Sequence, residues 1–101
     1  MIILGIDPGT RTTGYGVVET GERGVVNRAY GEIRMKKGEP LSSCLKRIYN
    51  QLIEIITEYV PDVIALEDIF YGKNVKSLIK LGQARGVVIL AGSQTNTPLY
   101  E

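Results

Sequence analysis

Two carboxylates carry the chemistry this sequence could do. Asp7 ends the apolar run Ile2-Ile3-Leu4-Gly5-Ile6, and Glu67 ends a second one, Val63-Ile64-Ala65-Leu66. Alone, each has an ordinary reading: an aspartate that starts a turn by bonding its own backbone, and a solvated glutamate at a strand end. Side by side they repel, and one is driven to keep a proton unless a cation lies between them. The other reading is therefore a divalent-cation site with paired carboxylates as hard oxygen ligands. The chain has no histidine and a single cysteine, Cys44. This excludes Ser-His-Asp and Cys-His nucleophilic sites, the usual zinc sets and a disulfide framework. Catalysis here would run on carboxylates, lysines and hydroxyls, with magnesium the natural helper.

Such a pair needs two strands that point the same way. The first run lacks alternation and is rich in β-branched residues, so it reads as a central strand with both faces covered. Pro8-Gly9-Thr10 turns the chain, with Gly9 there to tolerate a positive φ. Thr12 to Val18 returns as a second strand. After the turn Gly21-Glu22-Arg23-Gly24, residues Val25 to Arg34 form a third, all antiparallel. Leu41, Leu45, Ile48, Leu52, Ile55 and Tyr59 recur at helical spacing, with Pro40 in the first turn and Pro61 as the stop. Cys44 lies near that stripe and reads as packed rather than reactive. A strand, a crossover helix and a second buried strand imply parallel neighbours, which brings Asp7 and Glu67 out at one edge. That carboxyl edge is where open α/β sheets bind ligands.

A second helix is expected over Asn74 to Ala91, apolar on more than one face and so buried on two sides. Gly82 and Gly86, one turn apart, suit a close helix contact, either in a homodimer or against the sheet. Pro98-Leu99-Tyr100-Glu101 resumes strand chemistry. Gly14-Tyr15-Gly16 lies inside a strand and does not meet the dinucleotide-binding fingerprint.

At 101 residues the chain is one domain, able to bury roughly 65% of its unfolded surface. The opening run is too short for a membrane span and lacks the pattern of a signal peptide, so a cytoplasmic protein is expected. Net charge is +1, but its distribution is uneven. No acid occurs between Asp68 and Glu101, an interval that holds Lys73, Lys76, Lys80 and Arg85. With Phe70, Tyr71 and Asn74 these form either a solvated helix face beside core aromatics or a ridge for nucleic acid. In the second case the lysines neutralise phosphates and an aromatic stacks on a base.

Taken with these residues, the sequence resembles the RuvC family of Holliday-junction resolvases. The resemblance lies in Leu4-Gly5-Ile6-Asp7-Pro8-Gly9-Thr10, Thr13-Gly14-Tyr15-Gly16, Ala65-Leu66-Glu67, Phe70 with Lys73-Asn74 and Ser77, and Lys80-Leu81-Gly82-Gln83-Ala84-Arg85-Gly86. It implies an α/β, RNase H-like fold: three antiparallel strands, then helix-strand-helix, in a mixed sheet. It also implies a homodimeric, magnesium-dependent endonuclease, with manganese able to substitute, that cuts four-way DNA junctions in recombination and repair by two-metal hydrolysis. Junction branch-migration proteins would be its partners. On this resemblance Asp7 and Glu67 are catalytic metal ligands and Phe70 probes bases near the crossover. Lys73, Asn74, Gln83 and Arg85 contact the DNA backbone or hold the dimer face, and Lys76 and Lys80 of the ridge join them.

Family members carry further catalytic aspartates on a helix beyond the point where this chain ends. Residues 1–101 are thus expected to be an incomplete nuclease domain that lacks the final strand and carboxyl-terminal helices and is inactive, or nearly so, by itself. Two other readings stand beside this one. One is a junction-binding fragment without catalysis. The other is the amino-terminal piece of an actin-like ATPase or sugar kinase, which opens with a similar strand, Gly-Ile-Asp and Gly-Thr turn but has no counterpart to Lys80 through Gly86.

Overall fold

The run that ends at Asp7 is the middle strand of a five-stranded sheet. A computed structural model describes residues 1–68 and 74–101. The elements in chain order are β1 (Ile2–Pro8), β2 (Thr12–Gly21), β3 (Gly24–Arg34), α1 (Leu41–Tyr59), β4 (Val63–Leu66), α2 (Val75–Gln94) and β5 (Leu99–Tyr100). The sheet order is β3-β2-β1-β4-β5. The first three strands are antiparallel, whereas β4 runs parallel to β1 and β5 parallel to β4.

One face of the sheet makes the core. Leu4, Ile6, Val17, Ile33, Ile64 and Leu66 form one buried cluster with Cys44, Ile48, Leu52 and Ile56 of α1 and Val88 and Ala91 of α2. Their spacing follows from the pleat and the helical turn: every second strand residue, and every fourth on α1, reaches the same layer. Leu4, Leu52, Ile64 and Val88 are fully buried. Helix α1 stops as the Pro61 argument requires, although Val60 takes the left-handed conformation (φ 46°, ψ 60°) and donates its N–H to the Ile56 carbonyl at 2.9 Å.

Four expectations change. First, β1 is covered on one face only. Among the described residues no element lies over the other face, where Gly5, Gly14, Gly16 and Ala65 floor an open trough of about 490 Å³. Second, Gly9 does not occupy the positive-φ region. A Cβ there would stand 2.5 Å from the Thr12 carbonyl oxygen, so this glycine is required by close approach of the returning backbone. Pro8 itself still belongs to β1 and pairs with Thr13, which delays the turn by one residue. Third, α2 is buried on one side only, through Leu81, Ala84, Val88, Ala91 and Gly92. Val75, Ile79, Ile89 and Leu90 are exposed. Fourth, the fifth strand is not wholly missing: Leu99 and Tyr100 begin it, paired with Ile64 and Ala65.

Candidate active site

The parallel pairing of β1 and β4 sets the height of the two acids. At its start, Asp62 bridges the strands twice: its N–H donates to the Ile2 carbonyl at 2.8 Å, and its Oδ2 accepts from the Ile2 N–H at 2.7 Å. At its far end Ile6 pairs with Leu66, and the Glu67 N–H donates to the Ile6 carbonyl at 3.1 Å. Leu66 and Ile6 point into the core, so the next residue on each strand turns to the opposite face. Asp7 and Glu67 therefore stand side by side, exposed, at the head of the glycine-floored trough.

Their carboxyl groups meet. A hydrogen bond shared with Asp7 is the main reason Glu67 keeps its proton above the usual carboxylate range; the charge of Asp7 and partial desolvation add to it. Two carboxylates side by side repel once both are ionised, and a hard divalent cation would relieve that repulsion, because both donors are oxygen and suit such a metal. Among the described residues, no group of three or more acids, cysteines or histidines gathers in one place. The pair is thus a partial ligand set.

The expected DNA-facing residues lie in different settings. Phe70 and Lys73 fall outside the described residues. Asn74 caps α2, its Oδ1 accepting from the Ser77 N–H at 2.9 Å. Lys76 and Gln83 are exposed on α2. Lys80 is exposed too, and lines a small hollow with the turn residues Gly9 to Thr13. Arg85 is different: its side chain is only 15% exposed and pairs with Asp68 and Glu101. Arg11, which no motif in the sequence marks, is an exposed cation in the turn after Asp7 and borders the same hollow as Lys80. A basic residue inside the tight turn that follows a candidate ligand was the available signal.

A family model described as crossover junction endodeoxyribonuclease RuvC matches residues 3–101. The chain belongs to the RuvC family. The RuvC of Proteus mirabilis (strain HI4320) is 50% identical over 100 residues, a match that covers 99% of this chain and 57% of that protein. The RuvC of Geotalea uraniireducens (strain Rf4) is 46% identical over 101 residues, covering 100% of this chain and 59% of the relative. The chain thus spans a little under three fifths of each of these two relatives. Thermus thermophilus RuvC in complex with a Holliday junction substrate superimposes with a TM-score of 0.92 at 26% identity, covering 99% of this chain and 64% of that one. The fold is that of the RuvC family, RNase H-like and α/β, as the resemblance implied. No helix among the described residues is long and apolar enough to cross a membrane.

Proposed function

We propose that the full-length protein is a structure-selective endonuclease that cuts four-way DNA junctions, using divalent cations held in part by Asp7 and Glu67. The observation that supports this most directly is the meeting of the two acids at one point of the sheet edge, where Asp7 raises the proton affinity of Glu67. Magnesium is the cation of choice by ligand chemistry, with manganese able to replace it. When bound, it supplies activation of water and stabilisation of the departing oxygen of the phosphodiester. Asp7 and Glu67 would hold it as hard oxygen ligands. Their rigid seats on two hydrogen-bonded strands fix the spacing of the two carboxylates.

The remaining acids would come from the two fifths of a family-length chain that these residues do not include, laid over the trough. The 101-residue chain alone binds cations weakly and does not cleave. Lys76, Lys80 and Gln83 face solvent on α2 and would meet the DNA backbone, with Asn74 at the head of the helix; Phe70 and Lys73, which precede it in the sequence, are proposed for the same role.

The outer side of α2 supports a homodimer. Val75, Ile79, Gly82, Gly86 and Leu90 fall on one stripe opposite the buried residues, by the 100° advance per residue of an α-helix. Among the described residues, a Cβ at Gly82 or Gly86 would meet nothing within 4 Å beyond its own helix turn. Two helix-interior glycines cost about 1 kcal/mol each relative to alanine, and a second copy packed close on this stripe accounts for them. Two active sites are also what cutting two opposed strands requires. We place the dimer in the cytoplasm, beside proteins that move the junction.

The test is cleavage of a synthetic four-way junction by the full-length protein with magnesium. Wild type should cut the junction and leave linear duplex intact. Asp7→Asn and Glu67→Gln should each lose cleavage yet still bind the junction. Wild-type cleavage rates in either variant would overturn the proposal.

A further inference from the structure

Arg85 is a half-buried cation close to Glu67. It lies on α2 behind the carboxyl ends of β4 and β5. Its Nη2 donates to Asp68 Oδ1 at 3.2 Å and stands 2.9 Å from Glu101 Oε1. The two acids are well exposed, 72% and 49%, whereas the arginine is 15% exposed. Its Nε is buried and has no hydrogen-bond partner among the described residues. A guanidinium sunk this far is kept by its carboxylates, since a buried charge without partners is costly.

Both partners sit at telling places. Asp68 directly follows Glu67, and Glu101 directly follows Tyr100, whose β5 position pairs with Ala65 of β4. Side chains alternate across a sheet, so Glu67 projects into the trough while Asp68 turns back towards α2. A single guanidinium thereby fastens the ends of two adjacent strands to the helix behind them. The backbone that carries Glu67 is held on one side by the Ile6 carbonyl and just beyond it by Arg85.

We propose that Arg85 is a positioning residue for Glu67: by holding Asp68 and Glu101 it fixes where the Glu67 carboxylate stands relative to Asp7, and so sets cation affinity rather than DNA affinity. This rests on the reading of Asp7 and Glu67 as a cation site. It gives Arg85 a role apart from phosphate contact, for which its buried guanidinium is poorly presented. Charge and geometry act in opposite directions here. By charge alone, removing a cation near two acids would strengthen cation binding; by loss of positioning, it weakens it.

The experiment uses the full-length protein with Arg85→Ala and Arg85→Lys. Manganese binding is measured by electron paramagnetic resonance, and the manganese concentration for half-maximal junction cleavage by kinetics. Junction affinity is measured without divalent cation across a range of salt. Arg85→Ala should raise both manganese values by about ten- to a hundredfold, the usual range when a residue that orients a ligand is removed. Junction affinity and its salt dependence should stay as in wild type. Arg85→Lys, which keeps the charge but not the fork, should recover part of the loss. The inference falls if manganese binding in either variant is unchanged or tighter. It also falls if junction affinity drops with a salt slope reduced by about one, the mark of a lost phosphate contact. Glu67→Gln, run alongside, separates the two claims: wild-type manganese binding there would remove the cation site itself, whatever Arg85 does.

Discussion

Gly16 gives the sharpest test of what lies over the open face. Among the described residues other than its chain neighbours, a Cβ at residue 16 would come no closer than 3.9 Å to any atom, the Ala29 carbonyl oxygen, which is ordinary contact. Its φ lies outside the positive region. Glycine inside a strand costs about 0.5–1 kcal/mol relative to alanine, so Gly16→Ala should stabilise the 101-residue chain by that amount. For a domain of this size that raises Tm by roughly 2–8 °C. In the full-length protein the same methyl group would sit between the sheet backbone and whatever covers the trough. Overpacking of that kind costs about 1–3 kcal/mol, enough to cancel the gain or reverse its sign. Thermal unfolding of both lengths, with and without the substitution, reads this directly. Equal stabilisation in both lengths would mean that nothing seats closely on the glycine floor. Destabilisation of the short chain would mean that the strand itself needs the glycine.

Because Asp7 raises the proton affinity of Glu67 in the folded state, this group favours the metal-free fold at low pH, and that contribution is lost as pH rises through the raised value. Glu67→Gln should therefore stabilise the metal-free chain at neutral pH, with the advantage fading as acid protonates Glu67, as followed by denaturant titration. For the same reason, cation binding in acid, where Glu67 takes up its proton, should release protons and weaken as the pH falls further, which calorimetry in buffers of different ionisation enthalpy would detect. Asn74→Ala removes the cap that accepts from Ser77 and should cost about 1 kcal/mol; an unchanged unfolding midpoint would count against the cap. Ile79→Lys puts a charge on the exposed stripe of α2, where Ile79 is 54% exposed. It should leave the stability of the chain within about 0.5 kcal/mol while converting the full-length dimer to a monomer in light scattering.

The sequence made the site legible because a local signal and a topological rule sufficed. Two apolar runs that each close on an acid, with an amphipathic helix between them, require parallel neighbours, and β1 and β4 are paired that way. The stripe from Leu41 to Tyr59 marked α1 to the residue. What was hidden depends on partners distant in sequence or absent from the chain. An unbroken apolar run means burial on both faces only where both are covered, and here the second face of β1 meets a trough. The apolar residues of α2 signalled two buried sides, yet half of that surface faces outward. Gly9 suggested a positive φ because glycine usually marks one, whereas its cause is an oxygen at residue 12. For Arg85 the family resemblance implied a DNA-backbone contact or a support of the dimer face, and the structure adds two carboxylate partners. Its ties to Asp68 and Glu101 cross 17 and 16 residues, a relation set by tertiary placement that spacing does not encode.

The central claim is that Asp7 and Glu67 share one cation. Diffraction from manganese-soaked crystals of the full-length protein, recorded at an energy where manganese scatters anomalously, tests it most directly. The account predicts an anomalous peak between the two carboxylates, within bonding distance of an oxygen from each, that disappears in Glu67→Gln. A peak bound by only one of them, or manganese held elsewhere while both acids remain bonded to each other, would contradict it.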